Sequence, residues 1–186
     1  MSEQLIKNGQ LAADDWQTVA LAADIAAETI AETTAEAIAD AIAALEIPAG
    51  RVLLPAPVWL ARRDALLERA AAGEIAVSLA PTFRVEDIAA DVPRFAMIAV
   101  EFPKLSDGRG YSTARLLRER YGYRGELRAV GDIGRDRLFE LKRVGCDAFL
   151  LPPGRDAAAA LAALNDFPEV YQGAVDQPLP LFRRRA

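Results

Sequence analysis

The chain has no histidine and a single cysteine, Cys146, among its 186 residues. The absence of histidine removes the side chain that most often serves as a general base and as a metal ligand near neutral pH. One cysteine cannot form an intrachain disulfide, and it leaves no cysteine cluster to ligate an iron–sulfur centre. The sequence therefore favours a protein with no metal site and with no redox cofactor held by its own residues.

Long apolar runs are missing as well. The first ten residues, Met1 to Gln10, lack the apolar core of a secretory signal, and no later run approaches the length that spans a membrane. We therefore expect a cytoplasmic protein without membrane association. The 52% of hydrophobic residues is ample for the core of one globular domain.

Charge is distributed unevenly along the chain. Residues 1–50 carry nine acidic side chains and one basic side chain, whereas residues 51–186 carry 18 acidic and 21 basic ones. Within residues 104–143 there are 11 basic and six acidic side chains, so this stretch should attract anions. We do not expect a nucleic-acid partner, because no zinc-finger, RNA-recognition or helix-turn-helix pattern accompanies the basic charge.

Residues 51–186 alternate between short apolar runs and helical stretches. This alternation predicts an α/β domain with a mainly parallel sheet. The predicted strands are Arg51–Pro55, Ile75–Ala80, Ala96–Phe102, Leu127–Gly131 and Ala148–Leu151. The predicted helices are Trp59–Ala71, Val85–Ala90, Tyr111–Tyr121 and Arg135–Val144. With five or six such units the sheet is either open, like that of a flavodoxin, or curled like part of a (βα) barrel, because a full barrel needs eight.

Residues 1–50 form a distinct N-terminal part. The pattern Leu5-Ile6, Asn8-Gly9, Leu11 predicts a small hairpin with a primed turn, and an edge cap is its simplest role. Ala23–Glu46 consists of degenerate four-residue units, which predict an Ala-rich helix with an acidic residue at every fourth position. That helix is either a solvated element packed lightly on the domain or a surface for a partner or a second copy.

The junction from Phe102 to Tyr121 is the most informative local feature. An apolar strand ends at Phe102, because Pro103 stops its hydrogen-bond ladder, and a turn rich in glycine and aspartate then leads into an amphipathic helix. The free amides of that helix start, together with Lys104, Arg109 and Arg115, form a candidate site for an oxyanion such as sulfate or phosphate. In the alternative interpretation, the arginines only pair with neighbouring carboxylates.

Other polar residues fall on the same predicted edge. In parallel α/β folds, ligands gather where the strands end, and Asp132 and Arg135 follow the strand Leu127–Gly131. Asp132 and Asp136 are either paired carboxylates on one helix face or charges that interact with the helix dipole. The glycine fingerprint of dinucleotide-binding folds and the phosphate loop of nucleotide hydrolases are both absent from the sequence.

The stretch FPKLSDGRGYSTARLLRERYGYRGELRAVGDIGRDRLF at Phe102–Phe139, together with CDAFLL at Cys146–Leu151, closely resembles a bacterial family called domain of unknown function 934. The resemblance extends over Arg51–Arg185 and includes VYQ at Val170–Gln172 and PLPLFRRR near the end of the chain. LIKNG and DDW, at residues 5–9 and 14–16, are similar to its N-terminal signature. Members of this family are labelled oxidoreductases involved in sulfite reduction.

The resemblance implies an accessory protein of assimilatory sulfate and sulfite reduction that binds an oxyanion or a partner reductase at the strand-end loops. The alternative that it implies is an oxidoreductase of sulfite reduction that borrows a flavin or a nicotinamide. A homo-oligomer also stays open. Two features depart from the family pattern: the segment Ala23–Glu46, and the position of Cys146 after Gly145 rather than before it. The candidate ligand-binding residues are Lys104, Asp107, Gly108, Arg109, Gly110, Tyr111, Ser112, Arg115, Arg128, Asp132, Arg135 and Asp136.

Overall fold

The fold is built around one eight-stranded sheet, seen in a computed structural model that describes residues 3–21 and 35–184. The strands are β1 (Gln4–Lys7), β2 (Gln10–Ala12), β3 (Gln17–Thr18), β4 (Val52–Pro55), β5 (Ile75–Leu79), β6 (Met97–Phe102), β7 (Glu126–Gly131) and β8 (Ala148–Leu151). The helices are α1 (Ala35–Ala44), α2 (Ala56–Ala71), α3 (Arg109–Glu119), α4 (Arg135–Arg143), α5 (Ala157–Ala163) and α6 (Leu181–Arg184). The five strands predicted after residue 50 are all present, with bounds shifted by at most one residue.

The sheet is mixed, so the prediction of a mainly parallel sheet is wrong. Strands β3 to β8 are parallel neighbours, whereas β1 pairs antiparallel with both β8 and β2. The antiparallel pairing of β1 with β2 follows from the N-terminal hairpin, because a two-residue turn can join only antiparallel strands. Asn8 (φ 51°) and Gly9 (φ 74°) both have positive φ, which confirms the primed turn at this edge.

The strand order distinguishes between the open sheet and the partial barrel. The order is β2-β1-β8-β7-β6-β5-β4-β3, so each strand from β4 to β8 is added on the same side of the one before it. A flavodoxin-like sheet reverses direction after its first strands, and no such reversal occurs here. The order is that of a (βα) barrel, and the sheet curls into a half-barrel.

The N-terminal segment makes this curl necessary. Strands β2 and β3 lie at opposite edges of the sheet, yet β2 ends at Ala12 and β3 begins at Gln17. A flat sheet would separate these edges by about 34 Å, since neighbouring strands are about 4.8 Å apart. Five fully extended residues span only about 18 Å. Residues 13–16 therefore cross the open side of the half-barrel, and we call them the crossing segment.

The two faces of the sheet have different packing. The convex face, which α2, α3 and α4 cover, contributes most of the core. Among its fully buried side chains are Val52, Leu54, Ile75, Val77, Ile98 and Val100. Burial of one such side chain stabilises the fold by roughly 1.5–3 kcal/mol. The concave face has a smaller cluster of Leu53, Ala76, Met97 and Ala99, which Trp16 of the crossing segment covers.

Other local predictions had mixed outcomes. The helical stretch expected at residues 85–90 is instead a pair of short 3₁₀ turns, Val85–Ile88 and Val92–Arg94. In the Ala-rich segment, α1 ends at Ala44, two residues before the predicted end at Glu46. This helix packs against α2 and buries Ile42. The rest of the predicted Ala-rich helix, up to residue 34, lies outside the described residues. Within the described residues, no helix is both long enough and apolar enough to span a bilayer.

Candidate functional site

Three loops at the carboxyl ends of β6, β7 and β8 lie side by side. The Asp132 amide, which follows β7, donates to the Phe102 carbonyl at the end of β6 over 2.8 Å. The Arg155 guanidinium, which follows β8, bonds the Asp132 carboxylate over 3.2 Å. We call the edge that these loops form the strand-end surface. It consists of Lys104, Leu105, Asp107, Arg109, Asp132 and Arg155, together with the buried Arg137 that supports it.

A glycine permits the close approach of the first two loops. Gly131, the last residue of β7, has a φ of +103°, a backbone conformation that residues other than glycine rarely adopt. A Cβ atom at this position would lie 2.5 Å from the Phe102 carbonyl oxygen. The sequence predicted that the strand ends at Gly131, and the structure adds that the conformation of this glycine sets the distance between the β6 and β7 loops.

Asp107 and Arg109 form the best-defined polar pair of the surface. The Asp107 carboxylate accepts hydrogen bonds from Nε of Arg109 at 3.0 Å, from Nη2 at 2.7 Å and from the Arg109 amide at 3.1 Å. These bonds, chiefly the side-chain ones, lower the pKa of Asp107 from 3.8 to about 2. A carboxylate of this chain therefore already occupies the start of α3, where an external oxyanion was predicted to bind.

Arg137 fixes the loop that follows β6 through hydrogen bonds to backbone carbonyls. Its side chain extends from α4 and is buried, and it donates to the Leu105 carbonyl and, over 3.5 Å, to the Asp132 carbonyl. The backbone of Leu105 is thus fixed while its side chain remains 63% exposed. An exposed leucine on a fixed backbone places apolar area in solvent with little conformational freedom left to lose on binding.

The charges of this edge are largely balanced by ion pairs. In addition to the Asp107 and Arg109 pair, Arg155 pairs with Asp132, and Arg135 pairs with Asp166 at 3.6 Å. Asp136 lies exposed in the first turn of α4. The basic excess counted in the sequence therefore does not translate into a group of unpaired arginines at this edge.

Several candidate residues have positions that follow from packing along α3. Gly110 is buried, and a Cβ there would lie 2.6 Å from the Phe102 ring. Tyr111 packs edge-on against the same ring, with centroids 5.3 Å apart, and burial raises the pKa of its hydroxyl. Gly108 precedes the helix in open space, and Ser112 is exposed on it. Arg115 pairs with Glu119 one turn later, at 2.9 Å.

Arg128 lies apart from the strand-end surface. It extends from the middle of β7 into the concave face and is only 1% exposed. Its guanidinium contacts Glu126 at 2.7 Å and Asp14 of the crossing segment at 2.9 Å, and Lys7 bonds the other oxygen of Glu126 at 2.7 Å. These contacts connect β7 to the N-terminal segment, so the structure gives Arg128 a role in closing the half-barrel.

The structure adds three residues that the sequence reasoning missed, namely Leu105, Arg137 and Arg155. Arg155 follows β8 within four residues, so the rule that selected Asp132 after β7 would also have selected it. Nothing in the sequence indicates that Arg137 points back to the Leu105 carbonyl. That contact depends on the packing of α4 against the β6 loop.

The strand-end surface lies within the region that defines the family of this chain. Comparison with curated proteins gives no significant match. The family model described as "Bacterial protein of unknown function (DUF934)" matches residues 76–182, which is more than half of the chain and runs from β5 into α6. The resemblance expected from the sequence is thus confirmed, and the chain belongs to the bacterial DUF934 family of unknown function.

Proposed function

We propose that this chain is an accessory protein of assimilatory sulfite reduction that binds a partner reductase through the strand-end surface. We assign the pathway from the label that proteins resembling this chain carry. We infer that the ligand is a protein from the properties of the strand-end surface.

The observation that carries this choice is the combination of a fixed apolar tip with paired charges. Leu105 presents its exposed side chain on a backbone that the buried Arg137 holds. The same surface carries two ion pairs, Asp107 with Arg109 and Asp132 with Arg155. An apolar centre within a polar rim is the usual composition of a protein interface.

The same features argue against a free oxyanion as the main ligand. Oxyanion sites need donors that are free to point at the ligand. Here the Asp107 carboxylate accepts from the first amide of α3 and from the Arg109 guanidinium. An added sulfate would have to displace that carboxylate or bind beside it, against like-charge repulsion.

The test uses purified sulfite reductase of the source organism and the full chain. Affinity is measured by calorimetry, and turnover of sulfite is measured with and without the chain. Wild type is compared with Leu105→Asp and with Arg109→Glu. Leu179→Asp is the matched control, because Leu179 is also an exposed leucine (53% exposed) but lies far along the chain from Leu105, in the segment of residues 164–184 that we call the C-terminal segment.

We expect wild type and Leu179→Asp to bind the reductase and to raise its turnover equally. Leu105→Asp and Arg109→Glu should each weaken binding about tenfold or more, since truncation of a central contact typically costs over 1 kcal/mol. Equal behaviour of all four proteins, or no binding at all, would overturn the proposal. Binding of sulfate alone that Arg109→Glu abolishes would replace the partner by an oxyanion.

A further inference from the structure

Two adjoining cavities lie between α4, α5 and the C-terminal segment, away from the strand-end surface. The inner cavity has a volume of about 240 Å³ and lies under the hairpin turn at Asn8 and Gly9, with Cys146 and Phe149 in its wall. The outer cavity has a volume of about 470 Å³ and is lined by Phe139 and Phe167, among others. Lys142, Leu164 and Asn165 line both cavities, so the two cavities form one cleft with two parts.

Lys142 is the cationic group at the junction of the two cavities. Its ammonium donates to the Leu164 carbonyl and to the Asn165 side-chain oxygen, each at 3.2 Å. Both acceptors are neutral, and an ammonium has a third hydrogen to donate. Among residues 3–21 and 35–184, no carboxylate forms an ion pair with Lys142. The cleft thus has a positive charge without a negative partner from the described chain.

The other charged groups of the cleft do not cancel this charge. The Asp147 carboxylate lines the inner cavity, but it bonds the Arg118 guanidinium and the Leu127 amide, each at 2.8 Å. Asp176 lines only the outer cavity and is exposed there. An anionic group would therefore be attracted to Lys142, while Asp176 would disfavour its movement outward.

We propose that this cleft binds a small organic anion with an apolar tail. The charged head, a carboxylate or a sulfonate, takes the third hydrogen of the Lys142 ammonium, and the tail lies in the inner cavity against Phe149, Leu164 and Cys146. The site is at the opposite edge of the sheet from the loops that follow the strands, since Cys146 lies two residues before the start of β8. This inference is independent of the proposed docking function.

Lys142 also has a structural role that accounts for part of the geometry. Its bond to Leu164, the residue that follows α5, stabilises the carbonyl end of that helix. This capping contact does not require a cavity on either side of the lysine. A ligand accounts for the remaining hydrogen, the charge without an ion-pair partner and the apolar wall of the inner cavity together.

The test is a titration of the ¹⁵N-labelled full chain with sodium butyrate, sodium hexanoate and neutral hexanol, followed by amide NMR shifts. We expect hexanoate to shift the amides of Gly9, Leu164 and Asn165. Its affinity should exceed that of butyrate, since each buried CH₂ adds about fourfold while the inner cavity is filling. Hexanol should bind at least tenfold more weakly than hexanoate. Absence of shifts at these amides, or equal affinity for hexanoate and hexanol, would overturn the proposal.

A pair of variants separates the role of the charge from that of the cavity. Lys142→Met keeps a chain of similar length without the ammonium, and it should bind hexanoate at least tenfold more weakly than wild type. Arg120→Met removes one exposed cation at the end of α3 and should leave hexanoate affinity unchanged. Equal hexanoate affinity of Lys142→Met and wild type would sink the assignment of Lys142, and the ligand series with wild type tests the cleft without any variant.

Discussion

The Arg128 guanidinium on β7 bonds the Asp14 carboxylate, 114 positions earlier in the chain, over 2.9 Å. This contact joins the crossing segment to the concave face of the half-barrel. Arg128 is almost fully buried and also contacts Glu126, so its charge is shared between two carboxylates. A buried cation of this kind makes the stability of the fold depend on the two carboxylates that pair with it, because an unpaired charge in the interior is costly.

Replacement of Arg128 by methionine should strongly destabilise the fold. The change leaves Asp14 without its ion-pair partner and Glu126 with Lys7 alone. Breaking a buried pair typically costs about 3–5 kcal/mol in free energy of unfolding. Asp14→Asn should cost less than half as much, because the Asp14 side chain is 29% exposed and the amide can still accept a hydrogen bond. Urea unfolding monitored by circular dichroism measures both.

The matched control for this prediction is Arg115→Met. Arg115 also pairs with a glutamate, but both side chains are about half exposed, at 57% and 49%. Exposed pairs of this type contribute about 0–1 kcal/mol. If Arg115→Met and Arg128→Met shifted the unfolding midpoint equally, the concave-face contacts would have no special role in closing the half-barrel.

The elements that the sequence predicted correctly are those with a local cause. The β-strands after residue 50 are short apolar runs that end at proline, glycine or aspartate, and Asn8-Gly9 specifies its own turn. The helix α5 had such a signal too, because the Asp156 side chain accepts from the Ala158 amide at 2.9 Å and from the Ala159 amide at 3.1 Å. It was missed although the cap is visible in the sequence.

The features that could not be predicted depend on distant parts of the chain. No pattern near Arg128 distinguishes a strand-end arginine from one that faces Asp14 across the concave face. The mixed sheet has the same origin, since β1 joins β8 across more than 140 residues of sequence. For the strand-end surface, the edge was predictable from strand ends, and the local pair of Asp107 with Arg109 matches the alternative interpretation of the sequence. The pair of Arg155 with Asp132 joins two loops, so it required those loops to be placed.

Gly131→Ala tests whether the close approach of the β6 and β7 loops forms the strand-end surface. The new Cβ would meet the Phe102 carbonyl at 2.5 Å, in a backbone conformation that alanine disfavours. Gly154→Ala is the control, because Gly154 also has a positive φ (+86°) but no atom within 4 Å of the added Cβ. The control should lose about 1–2 kcal/mol from the conformation alone. Gly131→Ala should lose clearly more.

The effect of Gly131→Ala should also be localised. We expect the amide of Asp132, which bonds the Phe102 carbonyl, to lose hydrogen-exchange protection in this variant and to keep it in Gly154→Ala. Equal stability of the two variants, or unchanged protection at Asp132, would contradict the close approach.

Cys146 should be inert in the folded protein. Its thiol is buried, and burial raises its pKa from 9.0 to about 12, so the reactive thiolate is absent at pH 8. Iodoacetamide should label the folded chain at pH 8 at least a hundredfold more slowly than the chain in 8 M urea. Rapid labelling of the folded chain would contradict the burial.

The raised pKa of Cys146 also predicts a stability effect at alkaline pH. The Cys146 thiol holds its proton more tightly in the folded state than in the unfolded state. The resulting contribution to stability is complete below pH 9 and is lost as the pH rises from 9 towards 12. The unfolding free energy of wild type should therefore fall more steeply between pH 8 and pH 10 than that of Cys146→Ala. The variant is the internal control, because all other titrating groups are shared. Identical slopes would exclude this thiol as a source of the pH dependence.

The pKa of Asp107 should lie well below the usual range of an aspartate carboxyl group. Arg109 lowers its pKa from 3.8 to about 2 through the side-chain and amide hydrogen bonds, so the folded state favours the carboxylate. Its contribution to stability is therefore present above pH 4 and is lost as the pH falls from 4 towards 2. A ¹³C NMR titration of the carboxyl carbon should give a midpoint near pH 2 in wild type and in Arg120→Gln. In Arg109→Gln the midpoint should return towards 3.8, because the charged donor is gone while the fold is kept. A midpoint of Asp107 near 3.8 in wild type would show that the pair is not formed in solution, and the balanced charge that favours a protein partner would then be lost.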